Sequence, residues 1–180
     1  MNAFTVQPAQ HDLVSAQGCD PRELRNLLGQ FATGVTVITT RTPDGRNVGM
    51  TANSFSSVSL DPPLVLWSIS RTAPSLEDFL SCSHFAINVL GADQHAISGR
   101  FARAAPDKFA GVGFKEAEAG VPLLDGVIAT LVCRNFTQYE GGDHLIFLGQ
   151  VEHYRQGAGE PLVFHGGQYR VAAQHPGLTR

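Results

Sequence analysis

Between Gly49 and Ser59 the chain sets Thr51, Asn53, Ser54, Ser56, Ser57 and Ser59 among small or apolar neighbours. Short polar side chains at this density offer many donors and acceptors, and small residues let a planar ring lie directly along the backbone. The same composition also suits a polar edge strand or turn. A second candidate is Gly141-Gly142-Asp143-His144, where a carboxylate precedes an imidazole able to act near neutral pH. A lone histidine on a turn is otherwise a polar loop residue. Further basic and aromatic groups, Arg100, Phe101, Arg103, Lys108 and Phe109, follow one another near the middle of the chain.

Other chemistries are missing. GxGxxG, P-loop, HExxH and GxSxG patterns do not occur, and the seven histidines are scattered without metal-ligand spacing. Cys19, Cys82 and Cys133 lie far apart with no CxxC, so neither a redox dithiol nor a zinc site is expected, and the compartment reads as reducing, hence cytoplasmic. Net charge is −3, and only Lys108 and Lys115 are lysines among 13 basic residues. Without a basic stripe, nucleic acid is not the expected partner. No apolar run approaches the roughly 18 residues of a membrane span. With 43% hydrophobic and 16% charged residues in 180, the composition is that of one globular domain.

The elements that must carry these residues are mostly strands. Asp20-Pro21-Arg22-Glu23 is a helix start, and Leu24, Leu27, Leu28 and Phe31 share one face, predicting a helix to about residue 32. Strands are expected over 35–40, through Val48 and Met50, and over 64–69, 85–90, 127–134, 145–154, 162–165 and 169–171. Short helices are expected over 74–81 and 92–101, and a Gly/Pro-punctuated connection over 104–113. This is a mainly β inventory without βαβ alternation, which predicts a closed or nearly closed antiparallel barrel with flanking helices. Residues 1–18 read as a flexible arm, 19–172 as the domain and 173–180 as a tail.

The runs Phe31-Ala32-Thr33-Gly34-Val35-Thr36-Val37-Ile38-Thr39-Thr40 and Gly49 to Val65 are followed by Phe85 to Leu90, Gly142-Asp143-His144 and Pro161 to Phe164. In this order they resemble the flavin reductase-like family over about residues 20 to 171. The resemblance implies a Greek-key, FMN-binding split barrel, a homodimer, and hydride transfer from NADH or NADPH to FMN or FAD. Reduced flavin would then pass to a partner monooxygenase. It also implies site roles. Met50, Thr51, Ala52, Asn53 and Ser54 would line the flavin ring, and Ser56, Ser57 and Val58 its ribityl chain. Ser68, Arg71 and Ser75 would meet the phosphate. The family often has Lys or Ser/Thr where Ser70-Arg71-Thr72 stands, so Arg71 is either a phosphate ligand or a surface charge. Asn88, Val89 and Leu90 would offer backbone groups at the ring edge, or form a plain core strand. Phe101 and Lys108 would cover the flavin, with an AMP portion stacking near them, or the stretch is an ordinary basic helix end. His144, oriented by Asp143, would face the nicotinamide; Tyr169 joins the cofactor-binding residues, and the surroundings of Phe101 and Tyr169 are the alternative nicotinamide pocket. Two rivals share the barrel, a non-catalytic flavin carrier and an oxidase of the pyridoxamine-phosphate type; the Gly-Asp-His motif favours the reductase.

Overall fold

The structure is a computed structural model that describes residues 13, 15–117 and 119–177. Of the expected N-terminal arm, residues 1–12 and 14 lie outside the described residues, as do 178–180 of the tail. A seven-stranded antiparallel sheet runs in the order β3 (Asn47–Ala52), β2 (Thr36–Arg41), β6 (His84–Val89), β9 (Ala129–Gly141), β10 (His144–Gln156), β5 (Pro63–Ser70), β4 (Ser56–Leu60). Two small sheets flank it. One joins β1 (Thr33–Gly34), β11 (Leu162–His165) and β12 (Gln168–Val171); the other is the hairpin β7 (Phe114–Glu116)–β8 (Pro122–Leu124). The helices are α1 (Pro21–Leu28), α2 (Leu76–Ser81) and α3 (His95–Phe101). The mainly β antiparallel barrel with flanking helices is therefore present.

The sheet curls until edge strand β3 meets β5 near the opposite edge, and the link from β3 to β4 closes the seam. There the Ser54 hydroxyl accepts from Ser68 N at 3.0 Å and donates to Ser68 O at 3.2 Å. Because strand side chains alternate, the central strands β2 and β6 feed two cores. Ile38, Phe85 and Ile87 join Trp67, Phe79 and Phe147 inside the barrel. Val37 and Leu90 face the other way, toward Phe101, Phe109, Leu124 and Leu162 beneath α3 and the β7–β8 hairpin. Trp67 stacks on Phe147 with centroids 4.7 Å apart and takes the edges of Phe79 and Phe85.

Several expected boundaries shift. The first helix starts as predicted, with Asp20 Oδ1 accepting from Arg22 N at 2.8 Å, but it stops at Leu28 because Gly29 caps it and turns follow. Its apolar face is largely uncovered among the described residues: Leu27 is 67% exposed, and Phe31 just beyond it 79%. β9 runs to Gly141, well past the predicted 134, since its polar second half pairs with β10. Residues 56–60 form a paired edge strand, and the β7–β8 hairpin occupies a stretch with no element expected.

Candidate active site

One face of β3 builds the wall of a cleft of about 670 Å³. Residues 46–51 line it, and the segment 102–110 after α3 arches over them. The opposite bank is Ala73, Pro74 and Ser75, just before α2. Gly49 admits no side chain, since a Cβ there would lie 2.5 Å from the Phe101 ring. Phe101 and Phe109 meet edge to face at 5.0 Å and form the floor. Lys108 ties the arch down: its ammonium donates to Gly49 O at 3.1 Å and to Phe101 O at 3.0 Å. No carboxylate pairs with it among the described residues, and burial pushes its pKa below the usual lysine value. A partly desolvated cation bordering the cleft without a counter-charge is a natural partner for a phosphate.

Thr51 donates to Ser98 O at 2.6 Å, and the Ser98 hydroxyl pairs with the Tyr169 hydroxyl at 2.8 Å. Tyr169 is thereby docked behind α3 and stands apart from the cleft-lining residues. Ala52 points into the barrel core and its carbonyl accepts from the Thr36 hydroxyl at 2.7 Å. Asn53 is exposed at the end of the wall. Met50, Thr51, Ser75, Phe101 and Lys108 of the expected site thus line one cleft, and Asn53 and Ser54 extend its wall toward the barrel seam.

A second group lies on the adjoining turns. Arg71 N donates to Asp143 O at 2.9 Å, and Arg71 Nε to Gly142 O at 2.9 Å; its guanidinium also pairs with Glu140. His144 Nδ1 is 2.7 Å from Asp143 Oδ1, and nothing among the described residues bonds its Nε2. That hydrogen bond, followed by the imidazole charge when present, holds the Asp143 carboxyl below the usual carboxylate range. The segment 70–75 joins both groups, contacting the Asp143–His144 turn at one end and the cleft at the other.

The structure places other expected residues differently. Asn88 and Leu90 are fully buried. Asn88 Nδ2 donates to Val37 O and Thr39 Oγ1, and its Oδ1 accepts from Leu124 N. Val89 O accepts from Ile128 N, and Leu90 bonds Val35 O and Leu162 N through its own backbone. With their hydrogen-bonding groups committed to neighbouring strands, these three residues form a core strand and have no edge to present to a ring. Arg71 spends its fork on the 140–142 turn instead of standing free for a phosphate. Ser68 serves the Ser54 bridge. Ser56, Ser57 and Val58 sit exposed on edge strand β4, away from the cleft lining. Asn47, which borders the cleft and whose amide oxygen is buried without a partner among the described residues, was not foreseen; its position one β period before Gly49 was the available signal. Burial raises the thiol pKa of Cys82 and pushes that of Cys133 up to about 12, so neither supplies a thiolate.

Residues 28–173 match the model of the flavin reductase like domain. The chain belongs to this family. It is 44% identical over 162 residues to an FMN reductase (NADH), SmoA, of Agrobacterium fabrum, covering 90% of this chain and 91% of that protein. It is also 44% identical over 153 residues to the reductase component of a flavin-dependent trigonelline monooxygenase of Acinetobacter baylyi. That match covers 85% of this chain but 49% of the relative, so the chain spans only about half of that protein. Among solved structures, NADH:FAD oxidoreductase SgcE6 of Streptomyces globisporus, determined with NAD and FAD fragments, superposes with a TM-score of 0.85. The two are 40% identical, with 92% of this chain and 99% of that one covered.

Proposed function

We propose that this protein is an NAD(P)H:flavin oxidoreductase that passes a hydride from reduced nicotinamide to FMN or FAD, for use by a partner monooxygenase. The observation that carries the reading is the β3 cleft: about 670 Å³, with a slim polar wall, an aromatic floor and an ammonium lacking a carboxylate partner. That volume suits a flavin-sized ligand. Membership in the flavin reductase like family and the printed activities of similar proteins support it.

When bound, flavin and nicotinamide supply the redox chemistry themselves. The chain's task is placement. In this reading Met50 to Asn53 flank the ring, Phe101 supports it from below, and Lys108 Nζ holds a phosphate. His144 offers Nε2 to the nicotinamide, because Asp143 fixes Nδ1 and so keeps the other nitrogen turned outward. A general base is not needed for direct hydride transfer between aligned rings. The Gly-Asp-His turn, clasped to the segment that banks the cleft, favours a reductase over a flavin carrier or an oxidase.

A homodimer completes the reading. On the outer face of the sheet Leu64 and Leu66 lie on β5 with Ile146 and Leu148 on β10, in register Leu66↔Leu148. Val58 and Phe136, at the bulges of the neighbouring strands β4 and β9, are apolar and exposed beside them, 48% and 46%. So large an uncovered patch fits an isologous contact. Among the described residues no helix is long and apolar enough to cross a membrane, and three free cysteines suit the reducing cytoplasm, where we place the protein.

The test is oxidation of NADH and of NADPH by purified protein with and without added FMN or FAD. Turnover that depends on free flavin is expected; bound flavin with no nicotinamide oxidation would leave only the carrier. Asn53→Trp should fold and lose flavin affinity, since the indole would occupy the ring's place. Unchanged affinity would remove the end of this wall from the site.

A further inference from the structure

The hairpin between β9 and β10 turns through Gly142 and Asp143 alone, since Gly141 pairs with His144. Gly142 takes φ +71° and Asp143 a negative φ, the pattern of a type II′ turn with glycine at its first central position. A two-residue loop leaves the carbonyls of both its residues outside the ladder, and a single residue takes both of them. Arg71 N donates to Asp143 O and Arg71 Nε to Gly142 O, each at 2.9 Å, while the guanidinium pairs with Glu140. The ladder between β10 and β5 ends at His144↔Ser70, so these bonds carry the attachment of the turn one step beyond it.

Arg71 itself stands on a fixed base. Ala73 N donates to Ser70 O at 3.0 Å and Phe79 N to Ser75 O at 3.2 Å, and Phe79 is sealed in the barrel core against Trp67. The same stretch supplies Ala73, Pro74 and Ser75 to the bank of the cleft. A held path therefore runs from the core through the bank to Arg71, and from Arg71 to the turn that carries His144. A guanidinium suits this work because its planar fork directs several bonds at once, where an ammonium is a point charge on a flexible stem. We propose that Arg71 is a positioning residue for hydride transfer: it holds the Gly142–Asp143 turn, and so places His144 relative to the cleft, without touching flavin or nicotinamide itself. The inference rests on the part given to His144 in the proposed function. A direct contact of Arg71 with a flavin phosphate is the competing role, and the two differ in what their loss affects.

The experiment is a double-mutant cycle of Arg71→Met with His144→Ala, with Tm, affinity for FMN and riboflavin, and NADH kinetics measured in every member. Arg71→Met should fold, because its backbone bond to Asp143 O survives, and should bind FMN and riboflavin as wild type does. Its kcat/KM for NADH should fall about two- to tenfold, the loss expected when one hydrogen-bonding group is misplaced. Added to His144→Ala it should cost less than about twofold more, since the group it positions is already gone. Glu140→Gln leaves both turn bonds in place and should keep wild-type kinetics. Additive losses would overturn the inference, because Arg71 would then act apart from His144; so would wild-type NADH kinetics in Arg71→Met. Weaker FMN binding with riboflavin level would overturn it by making Arg71 a phosphate ligand. A loss in Glu140→Gln equal to that in Arg71→Met would also sink it, since the ion pair and not the fork would hold the turn. Arg71→Lys keeps a cation beside Glu140 but lacks the fork; it should show the same pattern with a smaller loss, and it decides the question should Arg71→Met not fold. Absence of flavin-dependent NADH oxidation in wild type is instead the failure of the proposed function. NADH affinity without turnover, read by fluorescence through the same cycle, then decides the inference.

Discussion

Asn88 and His144 are polar residues on strands of the same sheet, and the fold uses them in opposite ways. Asn88 sits in the central strand β6, fully buried, its amide bonded twice to β2 and once to the β7–β8 hairpin. His144 opens β10 half-exposed, with one ring nitrogen fixed by Asp143 and the other facing outward. Residue type does not separate these roles; saturation does. A polar group whose bonds are all intramolecular holds the fold, whereas one with a bond to spare at a surface cleft is available to a ligand.

Asn88→Ala tests the saturated half and carries the largest expected effect. It strands Leu124 N and takes donors from Val37 O and from Thr39 Oγ1, which keeps its own bond to Pro122 O, in a sealed interior where each unsatisfied group costs about 1–3 kcal/mol. Stability should fall by about 3 kcal/mol or more in urea denaturation, and the β7–β8 hairpin should lose hydrogen-exchange protection first. A loss under about 1 kcal/mol would place Asn88 with the available groups and break the contrast.

Gly49→Ala probes the boundary between the two classes. The added methyl meets the Phe101 ring at 2.5 Å, so the ring, the arch and Lys108 must shift. Overpacking of this kind costs about 1–3 kcal/mol, and flavin affinity should drop with it because the displaced ring is the cleft floor. Retained affinity in a destabilised variant would make the floor purely structural.

Lys108→Met comes next. Its ammonium is partly desolvated and its folded pKa lies below the ordinary lysine value. The folded state therefore binds fewer protons than the unfolded chain at alkaline pH. Wild-type stability should rise as pH climbs from the folded pKa toward about 10.4, the free value, and Lys108→Met should lack this slope. Near neutrality the variant gives up two hydrogen bonds but escapes the desolvation cost, so stability changes little. Affinity for FMN should fall while affinity for riboflavin, which has no phosphate, stays level; equal losses would deny Lys108 a phosphate.

Much of the fold was legible because strands with one or both faces buried leave a compositional mark: Thr36 to Thr40 and Phe85 to Leu90 are β-branched or apolar almost throughout. The missed elements lack it. Ser56–Leu60, left open between a polar edge strand and a turn, is exposed along nearly its whole length and is a strand because β5 pairs with it. The second half of β9 is polar because it lies at the end of a long hairpin. In the site, Met50, Thr51 and the Asp143–His144 turn were readable as motifs. Asn47 was not: an amide on a β strand lines a cleft only once 102–110 arches over it. Arg71 shows the converse, since only the folded turn at 140–142 supplies the acceptors that claim it.

His144→Ala tests the available half and should have the smallest effect of the four. The imidazole is half-exposed on a turn whose backbone is held independently by Arg71, so the fold and the melting temperature should be unchanged. The hydrogen bond offered to the nicotinamide is worth about 0.5–1.5 kcal/mol, so kcat/KM for NADH should fall two- to tenfold with flavin affinity intact. Asp143 sharpens the test. Its carboxyl is held low first by the bond from His144 and then by the imidazole charge, so it stays ionised down through the ordinary carboxylate range. A depressed carboxyl stabilises the turn above its free pKa and loses that contribution only as pH falls through the folded value, well below assay conditions. Asp143 itself therefore adds no titration between pH 6 and 8, and the loss in Asp143→Asn should be smaller than that in His144→Ala because the imidazole remains but is no longer oriented. If His144→Ala slows flavin binding and nicotinamide use equally, the turn shapes the cleft as a whole and the imidazole has no separate role toward the nicotinamide.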